Sequence, residues 1–122
     1  MALKVLIVDD DFINRKLLQA MLKRHANVLN IEEAENGSVA LEKLKNNSEI
    51  NLVLLDIIMP VVDGVEFLKI FRSDKKNDHV SVIVLSTDDS RRIEVMELGA
   101  TDFLRKPIKE KDLLHKIAEW PH

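Results

Sequence analysis

The stretch Leu3–Asp11 reads LKVLIVDDD, a short apolar run that leads directly into three acidic residues. A nearly continuous run of valine, leucine and isoleucine is typical of a strand that is buried on both faces of a parallel sheet. The charged end of such a strand is expected at the edge of the sheet. The stretch therefore predicts a sheet covered by helices on both faces, with an acidic group at one edge.

The same alternation recurs along the whole chain. Further apolar runs are Val28–Ala34, Leu52–Leu55, Val80–Leu85 and Thr101–Leu104. Amphipathic segments with helical spacing follow the five runs at Phe12–His25, Gly37–Lys45, Val65–Arg72, Asp88–Leu98 and Lys109–Trp120. Five strand–helix units joined by right-handed crossovers predict an α/β fold with a doubly wound parallel five-stranded sheet. Two strand orders are common for such chains, and periodicity does not choose between them.

The first helical segment shows the clearest apolar stripe. Ile13, Leu17 and Met21 recur every four residues, and Leu18 and Leu22 complete a stripe that is expected to face the core. One of the aspartates before this segment is expected to cap the helix. A glycine directly after the fourth segment is expected to end that helix.

Composition limits the classes of function. The chain has 122 residues and a formal net charge of −3, which fits one domain spanning residues 1–122 without a general preference for nucleic acid or an anionic membrane. It contains no cysteine, which excludes disulfides, thiolate metal sites and cysteine nucleophiles. No apolar run approaches the about 20 residues of a membrane span, and the apolar start is too short for a signal peptide. We therefore expect a cytoplasmic protein that binds neither a membrane nor nucleic acid directly.

Chemically active side chains follow four of the predicted strands. Asp9 and Asp10 follow the first strand, Asp56 the third, Ser86 the fourth and Lys106 the fifth. The carboxyl ends of parallel strands meet at one edge of the sheet, so these side chains are expected to share a crevice. Crowded carboxylates either take up protons or hold a cation, and their oxygens suit Mg²⁺. A carboxylate beside such an ion can attack phosphorus and form an acyl phosphate.

Each of these residues also has an ordinary structural explanation. The run Asp9–Asp11 can cap a helix, and Asp56 can open a turn, because aspartate is favoured at both places. Lys106 alone is most often a solvated side chain, and Ser86 alone is most often bonded to backbone. The functional interpretation depends on their joint placement at the same end of different strands.

Four segments resemble the signature blocks of one protein family. They are LIVDD at 6–10, LLDIIMPVVDG at 54–64, VIVLST at 82–87 and FLRKP at 103–107. Together they are highly specific for response-regulator receiver domains, and the resemblance extends from Leu3 to the last helix. It implies the flavodoxin-like strand order 2-1-3-4-5 and a function in two-component phosphorelay signalling.

The resemblance also implies the composition of a metal site. Asp56 matches the aspartate that accepts the phosphoryl group, and Asp9 with Asp10 matches the acidic pair of the family. The side chains matching Asp10 and Asp56 ligate Mg²⁺ directly, together with the backbone carbonyl matching Ile58. The residue matching Asp9 reaches the ion through water.

Further residues match the parts of the family that contact and report the phosphoryl group. Ser86 matches the hydroxyl that contacts this group, and Lys106 matches the invariant lysine of the site. The Lys106–Pro107 peptide is expected to be cis, a form that costs little only before proline. Phe103 matches the aromatic switch residue, which turns inward when Ser86 moves toward the phosphate.

Partners and a surface for them follow from the same resemblance. A sensor histidine kinase or a phosphotransfer protein supplies the phosphoryl group, for which small phosphodonors can substitute. The surface formed by the fourth helix, the fifth strand and the fifth helix then changes and contacts an effector or a second copy of the chain. The domain is not expected to be an enzyme beyond its own phosphorylation and dephosphorylation.

Three alternatives remain beside this interpretation. A small phosphatase or hydrolase with an aspartyl nucleophile would use Asp9 and Asp11, spaced as in haloacid-dehalogenase-type enzymes, although little chain remains for a substrate pocket. A flavodoxin-like binding module is disfavoured because acids follow the first strand, where they repel a bound phosphate. A degenerate receiver is disfavoured by the complete set of acids, hydroxyl and lysine.

Four positions carry features that bear on the behaviour of the site. Phe103 stands where tyrosine is frequent in the family, and we expect its ring to prefer the buried rotamer because it has no hydroxyl to satisfy. Thr87 stands where alanine is usual, and its bulk is expected to narrow access to the site or to impede the movement of Ser86. Ile58 is expected to shield an acyl phosphate from water, whereas Asp88 is expected to orient or repel water there.

Overall fold

The computed structural model describes residues 2–57, 59 and 62–119. The strands are β1 (Leu3–Val8), β2 (Val28–Ala34), β3 (Leu52–Asp56), β4 (Ser81–Ser86) and β5 (Asp102–Arg105). The helices are α1 (Phe12–Leu22), α2 (Gly37–Asn46), α3 (Gly64–Arg72), α4 (Arg92–Glu97) and α5 (Glu110–Glu119). All neighbouring strands are parallel and their order is β2-β1-β3-β4-β5. This confirms the predicted fold class and the order that the resemblance implies.

The position of each strand in the sheet explains its sequence. β3 and β4 lie inside the sheet, and every residue in them is buried. β2 lies at the edge beside β1 alone, and most of its residues are half-buried or exposed. The charges of Glu32 and Glu33 are therefore tolerated in β2, and charge on an edge strand also discourages pairing with other chains.

Two layers of helices cover the two faces of the sheet. The core on one face includes Ala40 of α2, Phe67 of α3 and Val95 of α4. The core on the other face includes Leu22 of α1 and Ile117 of α5. Because helices cover both faces, polar side chains can gather only at the ends of the strands. We call the row of amino-terminal strand ends the amino edge and the row of carboxyl-terminal strand ends the carboxyl edge.

The predicted apolar stripe of α1 is only partly buried, and the helix ends at Leu22, three residues before the predicted end. Leu18 and Leu22 are buried against the sheet, but Ile13 and Leu17 are 62% and 55% exposed. The expectation that Ile13 and Leu17 face the core is therefore wrong. The contact between a helix and a sheet is narrower than the stripe that the sequence offers.

The predicted fourth helix is shorter than expected and begins with a different structure. A 3₁₀ turn covers Asp89–Arg91 before α4. The carboxylate of Asp88 accepts hydrogen bonds from the backbone nitrogen of Ser90 at 2.9 Å and from its hydroxyl at 2.6 Å. This local cap closes a tight turn, which explains why the segment does not start as an α-helix.

The other boundaries of the described helices and strands agree with prediction to within about one residue. Gly99 ends the fourth helix as predicted, with a φ of 106°. The predicted end of the last helix at Trp120 lies outside the described residues. Among the residues that the structure describes, no helix is both long and apolar enough to cross a membrane.

Candidate functional site

The acidic pair lies directly after β1. The backbone nitrogen of Asp9 donates to the carbonyl of Ala34 at 3.0 Å, so pairing with β2 continues one residue past the strand. Asp9 Oδ1 accepts from the backbone nitrogen of Asp11 at 2.9 Å. The other oxygen, Oδ2, is buried and accepts no hydrogen bond from any described residue. Asp10 is exposed at the mouth of the same pocket.

Asp56 ends the neighbouring strand and approaches the acidic pair. Val8 of β1 lies opposite Leu55 of β3, so the residues that follow them emerge side by side at the edge of the sheet. Asp9, Asp10 and Asp56 each offer one carboxylate oxygen, and these three oxygens lie within 4.8 Å of one another. We call these three carboxylates the acidic pocket.

Lys106 supplies the positive charge next to the acidic pocket. Its Nζ lies 3.2 Å from Asp56 Oδ1 and 3.6 Å from Asp9 Oδ2. Its backbone nitrogen donates to the carbonyl of Ser86 at 2.8 Å, which extends the pairing of β4 with β5. The Lys106–Pro107 peptide is cis, as the resemblance implies.

The electrostatics of the pocket favour a bound cation. Burial raises the pKa of Asp56, the charges of Asp9 and Asp10 raise it further, and Lys106 opposes this rise. Among the described residues, three carboxylates face one ammonium, which leaves an excess of negative charge, and none of these residues donates a hydrogen bond to Asp9 Oδ2. Hard oxygen ligands of this kind fit Mg²⁺, so the residues present suit the ion that the resemblance implies. Ile58, whose carbonyl was predicted as a ligand, lies outside the described residues.

The two predicted switch residues, Ser86 and Phe103, are both buried. Ser86 ends β4, is 3% exposed, and its Oγ accepts from the backbone nitrogen of Asp88 at 3.0 Å. Phe103 is 1% exposed, so its ring has the buried position expected of a phenylalanine there. The Arg92 guanidinium of α4 lies over that ring, 5.1 Å from its centre. Thr87 is exposed.

The structure therefore brings together Asp9, Asp10, Asp56 and Lys106, and it joins Ser86 to this group through the backbone of Lys106. The carboxylate of Asp88 caps a turn, and this contact lowers its pKa, first through the Ser90 hydroxyl and then through the Ser90 backbone.

Sequence reasoning missed Arg15, whose guanidinium contacts the carbonyl of Asp9. The available signal was a basic residue one turn into the helix after the acids. The role of Arg15 depends on its contact with Glu33 of β2, and sequence periodicity alone does not predict that these two residues are neighbours.

The fold and the pocket together define a class of protein: a doubly wound parallel sheet that carries an acidic pocket and a lysine at its carboxyl edge. The chain matches the response regulator receiver domain over residues 5–118, and it belongs to that family.

Known relatives agree with this membership. The chain is 40% identical over 116 residues to the transcriptional regulatory protein CpxR homolog of Haemophilus influenzae, covering 93% of this chain and 48% of the relative. It is 37% identical over 120 residues to the protein-glutamate methylesterase/protein-glutamine glutaminase of Desulfotalea psychrophila, covering 95% of this chain and 32% of the relative. The chain thus spans about half or less of these curated relatives.

A solved structure of similar size shares the whole fold. The chemotaxis response regulator CheY4 of Vibrio cholerae superimposes with a TM-score of 0.87 at 29% identity, covering 98% of both chains. The chain thus matches part of the longer curated relatives and nearly all of this solved chain.

Proposed function

We propose that residues 1–122 form one receiver domain that accepts a phosphoryl group on Asp56 from a histidine kinase or a phosphotransfer protein, in the presence of Mg²⁺. The observation that carries this proposal is the convergence of three carboxylates and Lys106 at the carboxyl edge of the sheet. A carboxylate that is crowded by like charges and held next to an ammonium is suited to attack an electrophile. The domain acts in signalling, and its own phosphorylation and dephosphorylation are the chemistry we assign to it.

The proposed transfer uses side chains that are already in place. A carboxylate oxygen of Asp56 forms a bond to phosphorus while the bond from phosphorus to the donor nitrogen or oxygen breaks, and the donor leaves with that electron pair. Lys106 Nζ lies 3.2 Å from Asp56 Oδ1, where it offsets negative charge on the transferred group. In this proposal Ser86 donates a hydrogen bond to a phosphoryl oxygen after its hydroxyl leaves the Asp88 backbone.

The metal site that we propose consists of Asp10 and Asp56 with the backbone carbonyl of Ile58, and Asp9 contacts the ion through water. Mg²⁺ would supply charge neutralisation at the phosphoryl oxygens. The buried Asp9 Oδ2, which has no hydrogen-bond donor among the described residues, supports a water or an ion in the pocket.

The phosphodonor protein is proposed to dock on α1. Ile13 and Leu17 are exposed there, and a groove of about 160 Å³ runs from Leu17 to Asp9 and Lys106. A largely apolar groove that ends at Asp9 and Lys106, the neighbours of Asp56, suits a partner whose phosphorylated side chain must reach Asp56. Leu17→Asp should slow phosphoryl transfer from phosphorylated phosphotransfer proteins but not from acetyl phosphate. If wild type and Leu17→Asp accepted the group from protein donors at the same rate, this docking site would be contradicted.

The response is proposed to appear on the surface formed by α4, β5 and α5. Ile93 and Met96 of α4 are 72% and 40% exposed, so this helix offers apolar area to an effector or to a second copy of the chain. Phe103 of β5 is buried opposite Val84, and β5 pairs with β4 up to Ser86, so this ring lies between the proposed surface and the strand that carries Ser86. A movement of Ser86 can therefore be transmitted to the surface through the packing of Phe103.

Phosphorylation of the metal-loaded protein tests the proposal directly. Acetyl phosphate with Mg²⁺ should add one phosphoryl group by intact-mass spectrometry, and beryllofluoride with Mg²⁺ should shift backbone amide signals from Asp56 to β5 and α4. Asp56→Asn should abolish both responses, whereas the control Asp112→Asn, an exposed acid of α5, should retain them. No response of the wild type would indicate a degenerate receiver, and turnover of a generic phosphomonoester would indicate the hydrolase.

A further inference from the structure

We propose that Arg15 is a positioning residue for the acidic pocket, because its guanidinium holds the peptide between Asp9 and Asp10 and thereby sets the direction of the Asp10 carboxylate. This inference rests on the proposed function, in which Asp10 is a metal ligand. It adds a basic residue behind the pocket to the acids within it.

The contacts of Arg15 connect the acidic turn to the neighbouring strand. Arg15 Nη1 donates to the carbonyl oxygen of Asp9 at 2.7 Å, and Arg15 Nε donates to Glu33 Oε1 of β2 at 3.0 Å. Its side chain is only 14% exposed, so water competes little for these bonds. The backbone nitrogen of Arg15 also donates to the carbonyl of Asp11 at 3.1 Å, which anchors the residue in the first turn of α1.

Glu33 is itself held in place, so it can hold Arg15. Its second oxygen, Oε2, accepts from Lys16 Nζ at 2.8 Å and from Gln19 Nε2 at 3.0 Å. The hydrogen bond from Lys16 lowers the pKa of Glu33 most, burial opposes this change, and the hydrogen bond from Arg15 lowers it further. The carboxylate is therefore ionised at neutral pH and remains a strong acceptor for Arg15.

The geometry of a peptide explains why this contact controls Asp10. The carbonyl of Asp9 and the backbone nitrogen of Asp10 belong to one planar group, so fixing the carbonyl direction fixes the path of the chain into Asp10. The nitrogen and Oδ1 of Asp9 are engaged by Ala34 and Asp11. The hydrogen bond from Arg15 to the Asp9 carbonyl additionally fixes the orientation of the peptide between Asp9 and the exposed Asp10.

The positive charge of Arg15 and its hydrogen bond to Asp9 predict opposite changes in Mg²⁺ affinity when Arg15 is replaced. As a positive charge near three carboxylates, Arg15 disfavours a second cation, so its removal should strengthen Mg²⁺ binding if charge alone mattered. As a positioning residue it favours Mg²⁺ binding, so its removal should weaken it. The sign of the change therefore separates the two roles.

Mg²⁺ titration of metal-free protein by isothermal calorimetry is the experiment. Arg15→Gln should weaken Mg²⁺ binding about 10-fold, the range expected for residues that orient metal ligands. Lys16→Gln is the matched control, because it removes one positive charge from the same partner, Glu33, which Gln19 still contacts. Lys16 makes no hydrogen bond to Asp9, so the Mg²⁺ affinity of this variant should stay within about twofold of wild type. Arg15→Lys should lose less Mg²⁺ affinity than Arg15→Gln, because a lysine ammonium can contact one of the two acceptors, the Asp9 carbonyl or the Glu33 carboxylate.

The outcomes that overturn the proposal are equal or tighter binding in Arg15→Gln, or an equal loss in Lys16→Gln. A readout without metal supports the titration: the amide resonance of Asp10 in metal-free protein should move in Arg15→Gln and stay in Lys16→Gln. An unmoved Asp10 resonance in Arg15→Gln would overturn the positioning role as well.

The same measurements separate this inference from the proposed function. If wild type binds no Mg²⁺, the proposed function fails, and the Asp10 resonance still decides whether Arg15 positions that residue. If Arg15→Gln does not fold, Glu33→Gln replaces it, with a smaller displacement of the Asp10 resonance expected. No displacement in Glu33→Gln would then overturn the proposal.

Discussion

The amino and carboxyl ends of the strands use charged side chains in opposite ways. At the amino edge, the Arg72 guanidinium donates to the backbone carbonyls of Gly99, Asn77 and Val80 at 2.9, 2.6 and 2.7 Å. At the carboxyl edge, three carboxylates crowd together with Lys106, and one oxygen of Asp9 has no hydrogen-bond donor among the described residues. Polar groups that all have partners stabilise a fold, whereas crowded charges with shifted pKa values are typical of binding and catalytic sites in proteins.

The largest effect that the comparison predicts lies at the amino edge. Arg72→Met should lower the free energy of unfolding by about 3 kcal/mol, because it removes three charge-assisted bonds that join α3 to the starts of β4 and β5. Mg²⁺ affinity should not change. Urea denaturation measures the loss, and calorimetry measures the affinity.

The matched control for this prediction is Arg24→Met. Arg24 is 69% exposed and pairs with Glu110 on the surface, so its replacement should change stability by less than about 0.5 kcal/mol. If Arg72→Met were as stable as Arg24→Met, the amino edge would not have the stabilising role that its contacts indicate.

The next largest effect lies at the carboxyl edge, where a substitution should change Mg²⁺ affinity and not lower stability. Asp10→Ala should weaken Mg²⁺ binding on the order of 100-fold, because it removes a proposed direct ligand, while the stability of the metal-free protein should be kept or should rise. Calorimetric titration with Mg²⁺ measures this effect. Unchanged affinity would place the metal elsewhere.

Asp11→Ala is the matched control for Asp10→Ala, since it removes the same charge one residue later. Asp11 caps α1 by accepting from the backbone nitrogen of Ile13 at 2.9 Å. Its loss should lower stability by about 1 kcal/mol and leave most of the Mg²⁺ affinity. Adjacent aspartates would then separate into one that stabilises the helix and one that binds the ion.

Much of this architecture could be predicted from the sequence, and the failures have a common cause. The bounds of β1 and β2 and the convergence of Asp9, Asp10 and Asp56 were predictable, because strand runs are local and parallel strands carry their ends to one edge. The exposure of Leu17 was not, because it depends on how much of α1 the sheet can cover.

The same cause applies to the site. The contact of Arg15 with Glu33 joins residues far apart in sequence, and it exists only because β2 lies beside β1. The cap that Asp88 forms with Ser90 competes with the α-helix that the same residues favour. Sequence patterns report which residue types meet at the carboxyl edge, but the side chains behind them follow from strand order and packing.

A smaller effect tests whether the crowding at the carboxyl edge costs stability. Asp56→Asn should raise the free energy of unfolding of the metal-free protein by about 1 kcal/mol near neutral pH, because it removes a desolvated carboxylate next to two others. Thermal denaturation in chelator measures the change. A loss of stability would mean that the contact with Lys106 outweighs desolvation and repulsion, and the contrast between the edges would weaken.

The smallest effect is the dependence of that difference on pH. Burial and the neighbouring acids raise the pKa of Asp56 above its ordinary value of 3.8, so between that pH and the raised folded pKa the folded protein holds a proton that the unfolded chain has released. The contribution of Asp56 to stability is therefore complete below about pH 3.8 and is lost as pH rises through the folded pKa. Wild type should lose stability relative to Asp56→Asn across that window in chelator, whereas its difference from Arg72→Met should stay flat. Saturating Mg²⁺ should reduce or reverse the first trend, because a bound cation favours the ionised carboxylate; an increase with pH in chelator would contradict the raised pKa.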